Sequence, residues 1–131
     1  MAFSLDFDAK HNVLRLTLEG PLTAAGLFEI EQAVAGYAAS HPPFRGIVDT
    51  AGVTDYQISG ETIRELAAAP RPTTSTAGTW VVVTPKEHIY GMTRMFQIAS
   101  GKSQPNFHVV RTMAEAYALL QIESPEFVLV P

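Results

Sequence analysis

The stretch Thr79-Trp80-Val81-Val82-Val83 constrains this chain more than any other. Four consecutive large or β-branched apolar residues leave no polar face, so the strand they predict is buried on both sides. Strands of that kind belong to parallel sheets covered by helices. Segments with a helical period should therefore alternate with short strands along the rest of the chain.

They do. Phe3, Leu5 and Phe7 alternate with Ser4, Asp6 and Asp8, and Leu14, Leu16 and Leu18 alternate with Val13, Arg15, Thr17 and Glu19. With the polar turn 8–12 between them, these read as an antiparallel hairpin, which Gly20-Pro21 is expected to stop. Thr23 is the expected cap of a helix running to about Ser40. Its apolar stripe is Leu27, Ile30, Val34 and Tyr37, with Glu29, Glu31 and Gln32 off it. His41-Pro42-Pro43 cannot continue that helix. Ile47-Val48 before Asp49 reads as a short buried strand, followed by a loop from Thr50 to Ile58. Ser59 is the expected cap of a second helix through about Ala69, with Ile63, Leu66 and Ala67 inward. The stretch 70–76, rich in Pro and Thr, reads as a mobile connection. After the central strand, Thr84-Pro85-Lys86-Glu87 has cap, first-turn proline and capping-box glutamate for a third helix, ended by Gly101. Asn106 to Val110 is a further strand. Thr112-Met113-Ala114-Glu115 opens a last helix, with Met113, Ala116, Tyr117 and Leu120 inward. Ser124-Pro125 breaks it before the apolar tail Glu126 to Val130, expected to pack within its own domain. The order is ββαβαβαβα plus a tail: an α/β fold with a mixed, mostly parallel sheet and an N-terminal antiparallel hairpin.

A chain of 131 residues suits one domain, residues 1–131, with 121–131 as its C-terminal tail. It has no cysteine, so disulfides, thiolate zinc sites and cysteine nucleophiles are excluded. The formal charge is −4, and the nine basic residues lie scattered from Lys10 to Arg111 with no two adjacent. That speaks against a nucleic-acid partner, which needs clustered Lys and Arg. Asp6 and Asp8 stand where a signal peptide is apolar, and no apolar run approaches the ~18 residues of a membrane span. A cytoplasmic protein without a membrane partner is expected. The histidines at 11, 41, 88 and 108 share no metal spacing, and no nucleophile-elbow, phosphate-loop or dinucleotide motif occurs. No metal, no cofactor and no enzymatic activity are expected. Asp49 is the best lone carboxylate; at a strand end it either faces a ligand crevice or bonds nearby backbone N–H groups.

Two stretches carry more. The first is Asp49-Thr50-Ala51-Gly52-Val53-Thr54-Asp55-Tyr56-Gln57-Ile58-Ser59-Gly60. With the element order it resembles the STAS domain, the family of sulphate transporters and anti-sigma-factor antagonists. Asp49, Gly52, Val53, Thr54, Ser59 and Gly60 match that family's pattern, while Gln57 and Ile58 replace the Asp and first Ser of its Asp-Ser-Ser-Gly segment. The resemblance implies a phosphoacceptor at Ser59. The residues alone are also explained by Ser59 capping its helix, worth roughly 1 kcal/mol.

The second stretch is Tyr90-Gly91-Met92-Thr93-Arg94-Met95-Phe96, which is similar to a motif in a bacterial branch of STAS-like proteins. Ile89, Met92, Phe96 and Ala99 make one apolar face, and Tyr90, Met95 and Ile98 lie beyond it. Tyr90 and Arg94 are i and i+4, so Arg94 is expected to stack on Tyr90. The surplus of Tyr, Met and Arg reads either as a broad core stripe or as a partner-facing, dimer-forming patch in which Gly91 admits another backbone.

The resemblance implies a non-enzymatic regulatory domain of the anti-sigma-factor-antagonist type with an unknown protein partner, and the patch on the third helix adds the expectation of a homodimer. The domain's expected partner surface is Asp49, Thr54, Asp55, Tyr56, Tyr90, Arg94 and Met95, and its switch is Ser59. The alternative is a binder of a small apolar or lipid-like ligand, as in CRAL-TRIO domains, with the third helix and the tail lining the pocket.

Overall fold

A computed structural model describes residues 2–41, 43–68, 78–100 and 106–130. Within them lie β1 (Ala2–Asp8), β2 (Val13–Thr23), α1 (Ala24–Ala39), β3 (Arg45–Gln57), α2 (Gly60–Ala68), β4 (Trp80–Val83), α3 (Glu87–Ser100), β5 (Phe107–Val110), α4 (Met113–Leu120) and β6 (Phe127–Leu129). The strands form one sheet in the order β5-β4-β3-β2-β1-β6. β2 to β5 run parallel, whereas β1 is antiparallel to β2 and to β6. This is the α/β, mostly parallel architecture with an N-terminal hairpin. The connection 70–76, the stop at Gly101 and the faces of Leu66, Ala67 and Ala99 lie outside the described residues and side chains.

Successive strand residues point to opposite faces, so the sheet carries two cores. On one side Leu14, Leu16 and Leu18 pack with Ile30 and Val34 of α1, Ile63 of α2, and Ile89 and Phe96 of α3. On the other side Val13, Ile47, Val81 and Val83 pack with Ala116 and Leu120 of α4 and with Ile122. All four residues of β4 are buried, as its composition requires. Thr23 and Thr112 cap α1 and α4, their hydroxyls accepting from Gly26 N and Glu115 N at 3.0 and 3.1 Å.

The β1–β2 turn is built round a fully buried carboxylate. Asp8 accepts from Lys10 N at 3.1 Å and lies 2.6 Å from His11 Nδ1. Arg45 ties this turn to the start of β3 and the end of α4, donating to His11 O at 3.0 Å and Leu120 O at 2.6 Å.

Four local expectations need correction. Gly20-Pro21 does not stop β2, which runs to Thr23, because Gly20 takes φ +86° and lets the strand bend through a register shift. Residues 50–57 are not a loop; they extend β3 alongside β2. Thr84 does not cap α3: the helix starts only at Glu87, with Tyr90 N donating to Lys86 O at 2.9 Å, while Thr84 still belongs to the sheet, its N–H bonding Val110 O at 2.9 Å. Its buried hydroxyl has no hydrogen-bond partner among the described residues. Glu31 is buried rather than off the inner face of α1.

Candidate functional site

β4 ends at Val83, opposite Asp49, but β2 and β3 continue as a two-stranded parallel ribbon to the pair Thr23 and Gln57. The ribbon shifts register between the pairs Thr17–Asp49 and Glu19–Gly52, and Gly52 permits the close approach there, since a Cβ would lie 2.8 Å from Leu18 O. Side chains occupy backbone groups where the sheet neighbour is lost. Thr50 Oγ1 donates to Val83 O at 2.6 Å and Lys86 Nζ to Val53 O at 2.7 Å. Asp49 Oδ1 accepts from Ala51 N at 3.0 Å, and Asp55 Oδ1 from Tyr56 N at 2.9 Å. Of the two readings of Asp49, this is the local backbone bond.

The ribbon delivers an exposed polar row to its tip. Thr54, Asp55, Gln57 and Ser59 are exposed, while Val53 before them and Ile58 among them are buried. Tyr56 is half-buried and packs against the larger core. Burial pushes its phenol up to about 12, because a phenolate there would lose its hydration. Ser59 Oγ accepts from Thr62 N at 3.1 Å and donates to Thr62 Oγ1 at 2.9 Å. It therefore caps α2 while staying at the surface.

α2 packs along α3, and this joins the two informative stretches. A Cβ on Gly60 would lie 3.6 Å from Met95 Sδ and 3.7 Å from an Arg64 guanidinium nitrogen. Met95 is thus a neighbour of the Ser59–Gly60 turn, and it remains partly exposed. Arg94 does not stack on Tyr90 as expected. The cation over the Tyr90 ring is Arg111, 3.8 Å from its centroid, and Arg111 also pairs with Glu87 at 2.9 Å. That pairing holds the Glu87 carboxyl below its ordinary range. Arg94 instead reaches Gln97 along its own helix. A long-range contact from the β5–α4 junction has displaced the local i, i+4 pair. Gly91 has open space rather than a backbone beside it within the chain.

Sequence reasoning missed Lys86, Thr50 and Arg111, whose roles depend on strand ends meeting across the sheet. It also missed Phe28, 65% exposed on α1 five residues beyond the ribbon tip. Its only signal was a large apolar residue one position past the inner stripe.

The tail lies at the opposite edge from α3. An open groove of about 570 Å³ runs between β6 and the end of α1, lined among others by Phe7, Tyr37, His41, Val128 and Val130. The third helix takes no part in it, because α3 packs against β3 and β5 on the far side of the sheet order. Among the described residues no group of His, Asp or Glu is placed to hold a metal ion, and no helix is long and apolar enough to cross a membrane.

No protein-family model matches the sequence, and neither does any curated protein. Among solved structures the chain is similar to an anti-sigma factor antagonist from Mycobacterium paratuberculosis. The identity is 16%, over 92% of this chain and 94% of that one, with a TM-score of 0.57. The chain has the STAS-like fold that its motifs imply.

Proposed function

We propose that this chain is a regulatory protein-interaction domain whose partner surface is the ribbon tip, the start of α2 and Met95. The observation that carries the reading is the meeting of the two motifs at Gly60 and Met95, with Ser59 exposed beside them. Thr54, Asp55 and Gln57 give this surface a polar rim. Met95 supplies an adaptable apolar contact, and Phe28 an aromatic anchor near the tip, as interfaces favour. The solved structure that shares the fold is described as an antagonist of another regulatory protein. A role in binding a protein is what that likeness supports for this chain.

Ser59 is the switch in this reading. Phosphorylation would remove the hydroxyl proton now given to Thr62 Oγ1 and add about −1.5 to −2 charge beside the α2 N–H groups. The helix dipole tolerates that charge, so α2 stays folded while the surface gains negative charge beside Asp55. The test is capture of partners from native lysate by the wild type, by Thr54→Arg with Met95→Glu, and by Ala118→Arg on exposed α4 as a remote control. The surface reading predicts a protein retained by wild type and control but lost by the double variant. Retention by all three contradicts it.

The second reading, an apolar ligand, rests on the groove beside β6. A co-purifying mass of a few hundred daltons in native mass spectrometry, lost on Tyr37→Arg, would support it. A clean apo mass would count against it.

A further inference from the structure

The outer edge of β6 points to a second copy of this chain as its occupant, and we propose that the molecule self-associates there by antiparallel pairing of β6 with β6. Val130 N donates to Leu5 O at 2.9 Å, and Leu129 lies opposite Asp6, Val128 opposite Phe7 and Phe127 opposite Asp8. In an antiparallel ladder bonded and non-bonded pairs alternate. Val130 and Val128 therefore spend their backbone groups on β1, while the N–H and C=O of Phe127 and Leu129 point outward. Among the described residues no side chain meets those outward groups. Elsewhere side chains do reach the sheet's margins: Lys86 and Asp49 serve the ribbon, and Gln97 Nε2 donates to Phe107 O of β5 at 3.0 Å. An uncovered apolar edge is a template for another strand.

The edge is complementary to itself. A two-fold axis at Val128 places Phe127 opposite Leu129 of the copy, and the reverse, so four backbone hydrogen bonds form with the observed polarity. On the α1 side the two Val128 side chains meet; they are 69% exposed in the single chain. On the α4 side Leu129, 67% exposed, meets the copy's Phe127, whose ring is already held under the Arg15 guanidinium at 4.1 Å. Each exposed apolar side chain of the edge thus gains an apolar neighbour. The Glu126 carboxylates fall at opposite ends of the paired strands, so no like charges meet. With a strand of only three residues the contact is smaller than the roughly 800 Å² per partner of a stable interface. The dimer is therefore weak and concentration-dependent.

The test is sedimentation of the full chain from about 5 μM to about 1 mM, a range chosen for a sub-standard interface. Val128→Lys sets two cations together on the axis. Leu129→Pro removes an outward N–H and leaves the β1 ladder its own bonds. The wild type should pass from monomer to dimer, and both variants should shift that transition at least ~10-fold upward with an unchanged melting temperature. Met95→Glu should dimerise like the wild type. A monomer at every concentration overturns the proposal, as does a transition unmoved by Val128→Lys, whether or not Leu129→Pro folds. A transition abolished by Met95→Glu alone also overturns it and returns the dimer to α3.

Discussion

Gly46 shows how tightly the larger core fixes single residues. A Cβ there would run into the Trp80 ring, inside a buried contact between β3 and β4. Gly46→Ala is expected to destabilise the protein by about 1–3 kcal/mol, the range for overpacking, read by denaturant unfolding. Gly91 is the counter-case, with nothing near it on α3. Gly91→Ala should raise stability by up to ~1 kcal/mol; a loss would show that the open space is needed. Tyr56 sets an alkaline limit. Its folded pKa is raised to about 12 from the ordinary 10, so the stabilising neutral phenol is fully present below pH ~10. Between pH ~10 and ~12 the unfolded chain holds fewer protons than the folded one, and stability falls by at most about 2–3 kcal/mol. Tyr56→Phe should flatten that part of the stability–pH curve. An unchanged slope would mean that Tyr56 ionises as it does in the unfolded chain.

Among elements, the ribbon of β2 and β3 carries the site, and Lys86 anchors it to the start of α3 through Val53 O. Lys86→Met should speed hydrogen exchange of the 53–57 amides while leaving those of β4 unchanged; equal rates in variant and wild type would remove the anchor from the account. Thr112→Ala should lower stability by about 1 kcal/mol through loss of the α4 cap, measured by thermal unfolding. What could be read in advance follows the same division. β1, the start of β2, β4, α1 and α4 were legible because alternation, all-apolar runs and capping threonines are local signals. The far half of β3 was not, because Ala51-Gly52 and Thr54-Asp55 have turn composition and become a strand only by pairing with β2 past its bulge. Thr84 matched the capping pattern, but the sheet ladder extends to Thr84 and the helix begins only at Glu87. Ser59 and Met95 could each be singled out from sequence. Their adjacency depends on α2 packing against α3, which no spacing expresses.

For the whole molecule, the STAS-like fold sets the two proposed surfaces at separate places. The ribbon tip, Ser59 and Met95 gather where the parallel strands outrun β4, whereas β6 closes the sheet's other edge beside α1. Partner binding and self-association can then vary independently, and Val128→Lys should leave partner capture as in the wild type. The central claim is that the Ser59 turn is where a regulatory partner binds and is released. The most direct measurement is the affinity of the captured partner for Ser59→Asp and Ser59→Ala proteins, both shown to be fully folded at the assay temperature. The account predicts at least ~10-fold different affinity between them, about 1.4 kcal/mol, with Ser59→Ala near the wild type. Equal affinity of the two variants would contradict it.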